Sequence, residues 1–248
     1  MHALVIGFAV SACVLAVACK QDAGGVVDKE AARQVAFHET YQLGEIAEAM
    51  TALSNEAAKQ NDSSDSLKLE QLLNTRLENL PVWTAQHNGF ADTPVVGFAL
   101  ASDTAAVDSI ISQYRAKFLP RDLKLAWVFK AFKPNEKYAG PEVFELIALK
   151  IGKHGTPAMD GSSIIAAKPE KDEKNGYLVT LNFDESGTKE FAKLTFKSLK
   201  RNIAIVLNDK VYCYPAVKSR VKGGQVQLTG NFTEQEVNDF VNFLYGKQ

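Results

Sequence analysis

Three cysteines and four histidines are the residues of this chain best suited to nucleophilic or metal chemistry, and their placement decides what they can do. Cys13 and Cys19 lie at an N-terminal apolar run, and only Cys213 stands in the body of the chain, so no disulfide can close within that body. No His or Asp is placed in the sequence to activate Cys213, which reads as a small core residue. His2, His38, His87 and His154 are scattered over different predicted elements. None forms an H-x-x-x-H or H-E-x-x-H pair, so no zinc site is predicted. There is no G-x-S-x-G nucleophile elbow and no phosphate-cradling loop, and Gly223-Gly224 is a turn without a helix start behind it. Asp184-Glu185 opens a predicted helix, where orphan N–H groups and the helix dipole account for carboxylates without general acid–base work. The expectation is a protein without catalytic residues, cofactor or metal, whose work is binding.

The bulk charge agrees with that. Lys and Arg total 28 against 29 Asp and Glu, a net charge of −1, which gives no reason to expect nucleic acid. The basic block at residues 197–201 reads as a solvated helix end. A chain of 248 residues holds one large domain or two small ones.

Along the chain, residues 3–18 form an apolar run without a charge, short for a spanning helix but long enough for a secretory signal segment. Leu15-Ala16-Val17-Ala18-Cys19 resembles the lipobox of bacterial lipoproteins, in which the Cys is acylated and becomes the mature N-terminus. Ala16 departs from that pattern, and Val10-Ser11-Ala12-Cys13 is the alternative. The chain turns polar directly after Cys19, which favours Cys19 as the lipidation site; an uncleaved anchor is the plainer reading of the same run. Residues 19–33 are expected to be a flexible tether. A short strand is predicted over 35–37. Leu43, Ile46, Ala47, Met50, Leu53 and Ala57 recur at helical spacing, and Leu69, Leu72, Leu73 and Leu80 predict a second helix ended by Pro81. A strand over 94–100, a helix carrying Val107, Ile110, Ile111 and Tyr114 and capped by Ser102 or Asp103, and strands over 123–129 and 142–151 complete a first α+β part, residues 34–151. Glycines and Pro157 mark a boundary at 152–159, and residues 168–175 read as a charged loop.

The second part, 152–248, is the stretch the chain is organised around. Residues 178–183 and 226–228 alternate as half-buried strands do, Asn208-Asp209 between two apolar runs signals a tight hairpin, and Thr233 with Glu236 is a capping box. The order strand, helix, three strands, helix is an α+β layer. The fold class expected is α+β: a two-part domain, each part a mainly antiparallel sheet with helices on one face.

The phrases Val179-Thr180-Leu181-Asn182, Phe191-Ala192-Lys193-Leu194-Thr195, Gly223-Gly224 and Thr229-Gly230-Asn231-Phe232-Thr233 resemble one family: the head subdomain of the first periplasmic domain of SecD/SecDF, the accessory subunit of bacterial Sec protein translocation. Upstream, Phe37-His38-Glu39-Thr40-Tyr41, Pro94-Val95-Val96-Gly97, Leu119-Pro120-Arg121-Asp122-Leu123-Lys124 and Trp127 resemble the base of the same domain, so the likeness spans about residues 36–246. In that family Glu39 and Asp122 would be structural. The resemblance implies a head that moves on its base and holds emerging polypeptide, driven by a proton path through transmembrane helices. This sequence carries no such helices, so any head movement is expected to be thermal or driven by a partner. The family's Asp-Leu-Lys/Arg-Gly-Gly start is not found in it, and its return strand after the last helix is not expected here. The function implied is a non-enzymatic envelope lipoprotein, lipid-anchored and facing the periplasm. Its implied partners are secreted or unfolded polypeptides, or Sec translocon components, with no small-molecule ligand. An adaptor subunit of an unrelated envelope complex is the first alternative. A small-ligand receptor using the groove between the two parts is the second, with no convergent polar set in its favour.

Overall fold

The computed structural model describes residues 25–60, 69–73, 93–133, 140–173 and 176–247. The expected signal segment, Cys13, Cys19, His2, His87, the polar break from Asn61 and the helix end at Pro81 lie outside these residues.

Among the described residues, three antiparallel sheets pack with helices. In chain order the elements are α1 (Lys29–Arg33), β1 (Val35–Glu39), α2 (Leu43–Gln60), α3 (Leu69–Leu73), β2 (Val95–Leu100), α4 (Thr104–Phe118), β3 (Leu123–Trp127) and β4 (Val143–Lys150). They continue with β5 (Met159–Asp160), β6 (Ile164–Asp172), β7 (Gly176–Phe183), α5 (Glu185–Lys197), β8 (Ile203–Leu207), β9 (Lys210–Cys213), β10 (Gln225–Phe232) and α6 (Glu234–Leu244). The sheets run β2-β4-β3, β5-β1-β8-β9 and β10-β7-β6. The α+β class with mainly antiparallel sheets is therefore as the sequence predicts.

The middle sheet is what joins the two parts. β1, from the first part, pairs antiparallel with β8 of the second, Phe37 opposite Ile205. The division after residue 151 thus does not separate two sheets. All five residues of β8 are at most 4% exposed. Such a continuous apolar run has no solvated face. Ile203, Ile205 and Leu207 look into one core with Phe37, Leu181, Phe191 and Phe240. Ala204 and Val206 look into another, with Phe98, Val143, Ile147 and Leu149 of the first sheet. The far face of that first sheet carries α2, α3 and α4 through Leu53, Leu72, Val107 and Leu146. Alternation along each strand thus stacks helices, sheet, sheet and head as successive layers.

Local chemistry closes the turns. Asn208 and Asp209 adopt φ of 50° and 59°, the left-handed pair that a two-residue hairpin between right-twisted strands requires. Thr233 Oγ1 accepts from Glu236 N at 3.2 Å while Glu236 Oε2 accepts from Thr233 N at 2.7 Å, completing the predicted capping box. Asp184 caps α5, its Oδ1 accepting from Gly187 N at 2.8 Å. At α4 the expected side-chain cap is absent; Ser102 Oγ donates to Asp103 Oδ1 instead.

Two expectations are corrected. Residues 168–172 are not a loop but the end of β6, paired with β7, Lys168 opposite Thr180 and Glu170 opposite Leu178. Charges and Pro169 belong there because β6 is an edge strand, where proline lacks no ladder bond and charge discourages further pairing. Residues 25–33 are not all tether. Asp28 caps α1, accepting from Glu30 N at 2.9 Å; its own N–H donates to Leu244 O at 2.8 Å, and Val27 and Ala32 are buried. Gly161 makes this possible: a Cβ there would stand 2.2 Å from Ala32 O.

Candidate functional site

Each residue of the run 37–41 makes a contact far from it along the chain. Phe37 packs edge-on against Phe183 and Phe191, with centroids 5.7 and 5.6 Å away. His38 is 4% exposed, its Nδ1 lies 3.1 Å from Lys150 O, and burial holds its pKa below the ordinary value. Glu39 accepts from Lys197 Nζ at 2.7 Å, Thr40 Oγ1 donates to Asn202 O at 3.0 Å, and Tyr41 OH donates to Asp122 Oδ1 at 2.7 Å. Burial and the Asp122 hydrogen bond push the Tyr41 phenol well up. The hairpin turn adds Lys124 Nζ to Asp209 Oδ1 at 2.5 Å. Phe37, Glu39, Thr40 and Lys124 thus tie the first part to the second, while the His38 and Tyr41 bonds stay within the first.

The same seam holds a cleft of about 410 Å³. On the side of the first part it is lined by the segment after β3, with Val128, Phe129, Lys130 and Phe132, plus Glu145 of β4. On the side of the second part it is lined by β9, the segment 214–218 and the C-terminal half of β10. Phe129 N donates to Val211 O at 3.0 Å, which brings the two walls together. The Phe129 and Tyr212 rings stack at 4.4 Å and 6°. Phe232 lies 5.8 Å from Phe129, and Phe240 supports Tyr212 at 5.2 Å. β10 changes register between Thr229 and Phe232. Gly230 allows this bulge to lie against the Phe232 ring, where a Cβ would come within 3.0 Å. The Thr-Gly-Asn-Phe-Thr string thus shapes one wall.

Two charged groups frame the cleft. Lys130 Nζ meets Glu236 Oε2 at 2.7 Å, donates to Asn231 O, and sits 5.3 Å from the Phe129 ring centre. Burial would raise the Glu236 carboxyl, but Lys130 and the Thr233 N–H outweigh it and hold it below the usual range. Glu145 Oε2 accepts from Tyr214 OH at 2.6 Å. Burial pushes Glu145 up to about 7, against the Tyr214 bond, and lifts the Tyr214 phenol well above its ordinary value. The wall is completed by Asn202 Nδ2, donating to Tyr214 O at 2.7 Å.

The stacked rings and Phe232 make the lining of the cleft largely apolar. Cys213 is buried, and burial pushes its thiol up to about 12, which leaves no thiolate near neutrality. His38 and His154 stand in separate elements, the latter in a turn with φ 63°. Among the described residues no group of three or more His, Cys, Asp or Glu is placed to hold a metal ion. Cys19 lies outside the described residues. Sequence reasoning did not single out Phe129, Lys130, Glu145, Tyr212 or Tyr214. The available signals were a glutamate inside an apolar strand and the same-face pair Tyr212 and Tyr214.

Residues 146–246 match the family described as SecDF, P1 head subdomain. Among curated relatives, the protein translocase subunit SecD of Rhodothermus marinus is 28% identical over 151 residues, covering 60% of this chain and 23% of the relative. That of Syntrophobacter fumaroxidans is 39% identical over 87 residues, 35% of this chain and 16% of the relative. The chain therefore spans under a quarter of the length of these relatives. A solved SecDF chain, described as a membrane component that enhances protein export, aligns over 86% of this chain and 94% of its own with 16% identity and a TM-score of 0.37. SecDF of Thermus thermophilus, described as a translocon-associated membrane protein, aligns over 90% of this chain and 29% of its own with 16% identity and a TM-score of 0.32.

Proposed function

From the premise that this chain carries a SecDF-type P1 head subdomain on residues 146–246, we propose that it is a non-enzymatic accessory of protein translocation that holds exported polypeptide in the cleft between base and head. The supporting observation is the cleft itself: stacked Phe129 and Tyr212, with Phe232 beside them, at the seam where the matched subdomain meets the base. An extended apolar segment presents side chains to such rings and needs no fixed sequence. Secreted or unfolded polypeptides, or Sec translocon components, are the partners of this reading. It places the protein in the bacterial cell envelope, facing the periplasm. The anchor we assign is a lipid on Cys19, with residues 1–18 as signal segment. Among the described residues no helix is long and apolar enough to cross a membrane.

Photo-crosslinking in cells tests the reading, with a benzophenone side chain in place of Tyr212 or, on the opposite wall, Phe132. A broad set of exported proteins or Sec subunits is expected. A single recurring partner absent from the Sec machinery would replace this reading with that of an adaptor. For the anchor, Cys19→Ala should abolish acyl labelling and release the protein from membranes or retain its precursor. Labelling that persists in this variant and disappears in Cys13→Ala would move the site to Cys13.

A further inference from the structure

A second surface, adjoining the cleft at Asn202 and the segment 214–218, has its own charge and its own exposed apolar side chains. The C-terminal turns of α5 and the loop at 217–222 lie side by side. Lys200 N donates to Val217 O at 2.9 Å, Val217 N to Arg201 O at 2.7 Å, and Val221 N to Thr195 Oγ1 at 3.0 Å. Residues 191–202 and 214–223 together contain seven Lys and Arg and no Asp or Glu, in a chain whose net charge is −1. Lys197 and Arg201 pair with Glu39 and Glu45 of the first part. Among the described residues, the salt bridges leave Lys193, Lys200, Arg220 and Lys222 without a carboxylate, and all four are exposed. In their midst Phe196 is 61% and Leu199 38% exposed, and Arg220 lies over the Phe196 ring at 5.9 Å.

Cations near a helix C-terminus are ordinarily explained by the helix dipole. That accounts for Lys197 and Lys200, but not for Arg220 and Lys222 on a separate loop, nor for a phenylalanine turned to solvent among them. We infer that this face is a peripheral contact with an anionic phospholipid surface: Lys193, Lys200, Arg220 and Lys222 meet the headgroups while Phe196 and Leu199 enter the acyl boundary. Charge complementarity selects an anionic partner, and the exposed apolar pair favours lipid over a polyanion whose surface is charged throughout. The contact is confined to the end of α5, because the opposite face of that helix, with Phe191 and Leu194, is committed to the head core. The inference does not depend on what the cleft holds.

The test uses the full chain and vesicles of equal parts phosphatidylglycerol and phosphatidylcholine, with pure phosphatidylcholine as the neutral comparison. In Phe196→Trp, the difference spectrum against wild type reads the substituted position alone, since the two native tryptophans cancel. We expect a blue-shifted emission, quenched by brominated lipid, with the anionic vesicles only, and lost near 1 M salt, where the screening length falls to about 3 Å. In flotation, the Gln variants of Lys193, Lys200, Arg220 and Lys222 should weaken anionic-vesicle binding by roughly fivefold per cation removed. F196S/L199S should weaken it by about tenfold. A difference spectrum of Phe196→Trp that anionic vesicles leave unchanged overturns the inference, whatever the folding of the other variants. So does binding that F196S/L199S leaves intact, which would indicate a polyanion site, or equal binding of every variant to neutral vesicles, which would belong to the N-terminal apolar run.

Discussion

Glu145 carries a carboxyl group into an apolar strand between Phe144 and Leu146, at the wall of the cleft. Its raised pKa, about 7 against an ordinary 4.5, has a consequence for stability whose sign is fixed. Between these two values the folded state holds the proton more tightly than the unfolded state, so stability falls as pH rises through this window and the loss is complete above pH 7. Glu145→Gln keeps an acceptor for the Tyr214 hydroxyl and removes the ionisation. Because part of the side chain faces the cleft, the variant should be more stable than wild type by about 1–3 kcal/mol at pH 8 and equal to it below the ordinary carboxyl range. Urea unfolding at the two pH values checks this, and a parallel pair of curves would show that Glu145 is solvated. The site at this scale is poorly written in the sequence. A single glutamate in a run of apolar residues is visible, but its partner Tyr214 is 69 residues away.

Elements differ in how openly the sequence declares them. The hairpin over Asn208-Asp209 and the capping box of α6 are local devices, each complete within four residues, and both appear where the sequence places them. β6 and α1 do not declare themselves. The charged half of β6 lacks an apolar face because it is an edge, and α1 has only Ala31 and Ala32 to bury, with Val27 just before its cap. β8 is the element on which two cores depend. Ile205→Ala removes a side chain that is 2% exposed between Phe37 and the head core, and should cost about 2–5 kcal/mol, read as a lower denaturation midpoint. An unchanged midpoint would mean that β8 is paired in another register.

The sequence predicts a two-part domain, each part a mainly antiparallel sheet with helices on one face, and such parts can unfold separately. The shared middle sheet argues otherwise. β1 and β8 pair over five positions, and the core between the first and middle sheets draws on both parts. Unfolding either part exposes a face of the other. One cooperative transition is therefore expected, with circular dichroism and intrinsic fluorescence coincident. Two resolved transitions would show that the seam, with its Glu39–Lys197 and Lys124–Asp209 ion pairs, contributes little.

By itself the sequence determined the α+β class, the helices and strands with full periodicity, the hairpin turn at Asn208-Asp209, the cap at Thr233, and the likeness that residues 146–246 bear out. Those features are encoded within a few neighbouring residues, through side-chain direction and backbone dihedral preference. Tertiary structure alone decided that β1 crosses to the head, that residues 168–172 are an edge strand, and that Phe129, Glu145, Tyr212 and Phe232 meet around one cleft. The physical reason is that hydrogen-bond pairing between strands and packing between layers act at contact distance in space and are indifferent to separation along the chain. The residues of the cleft come from positions more than 100 apart, and no local preference of any one of them refers to the others.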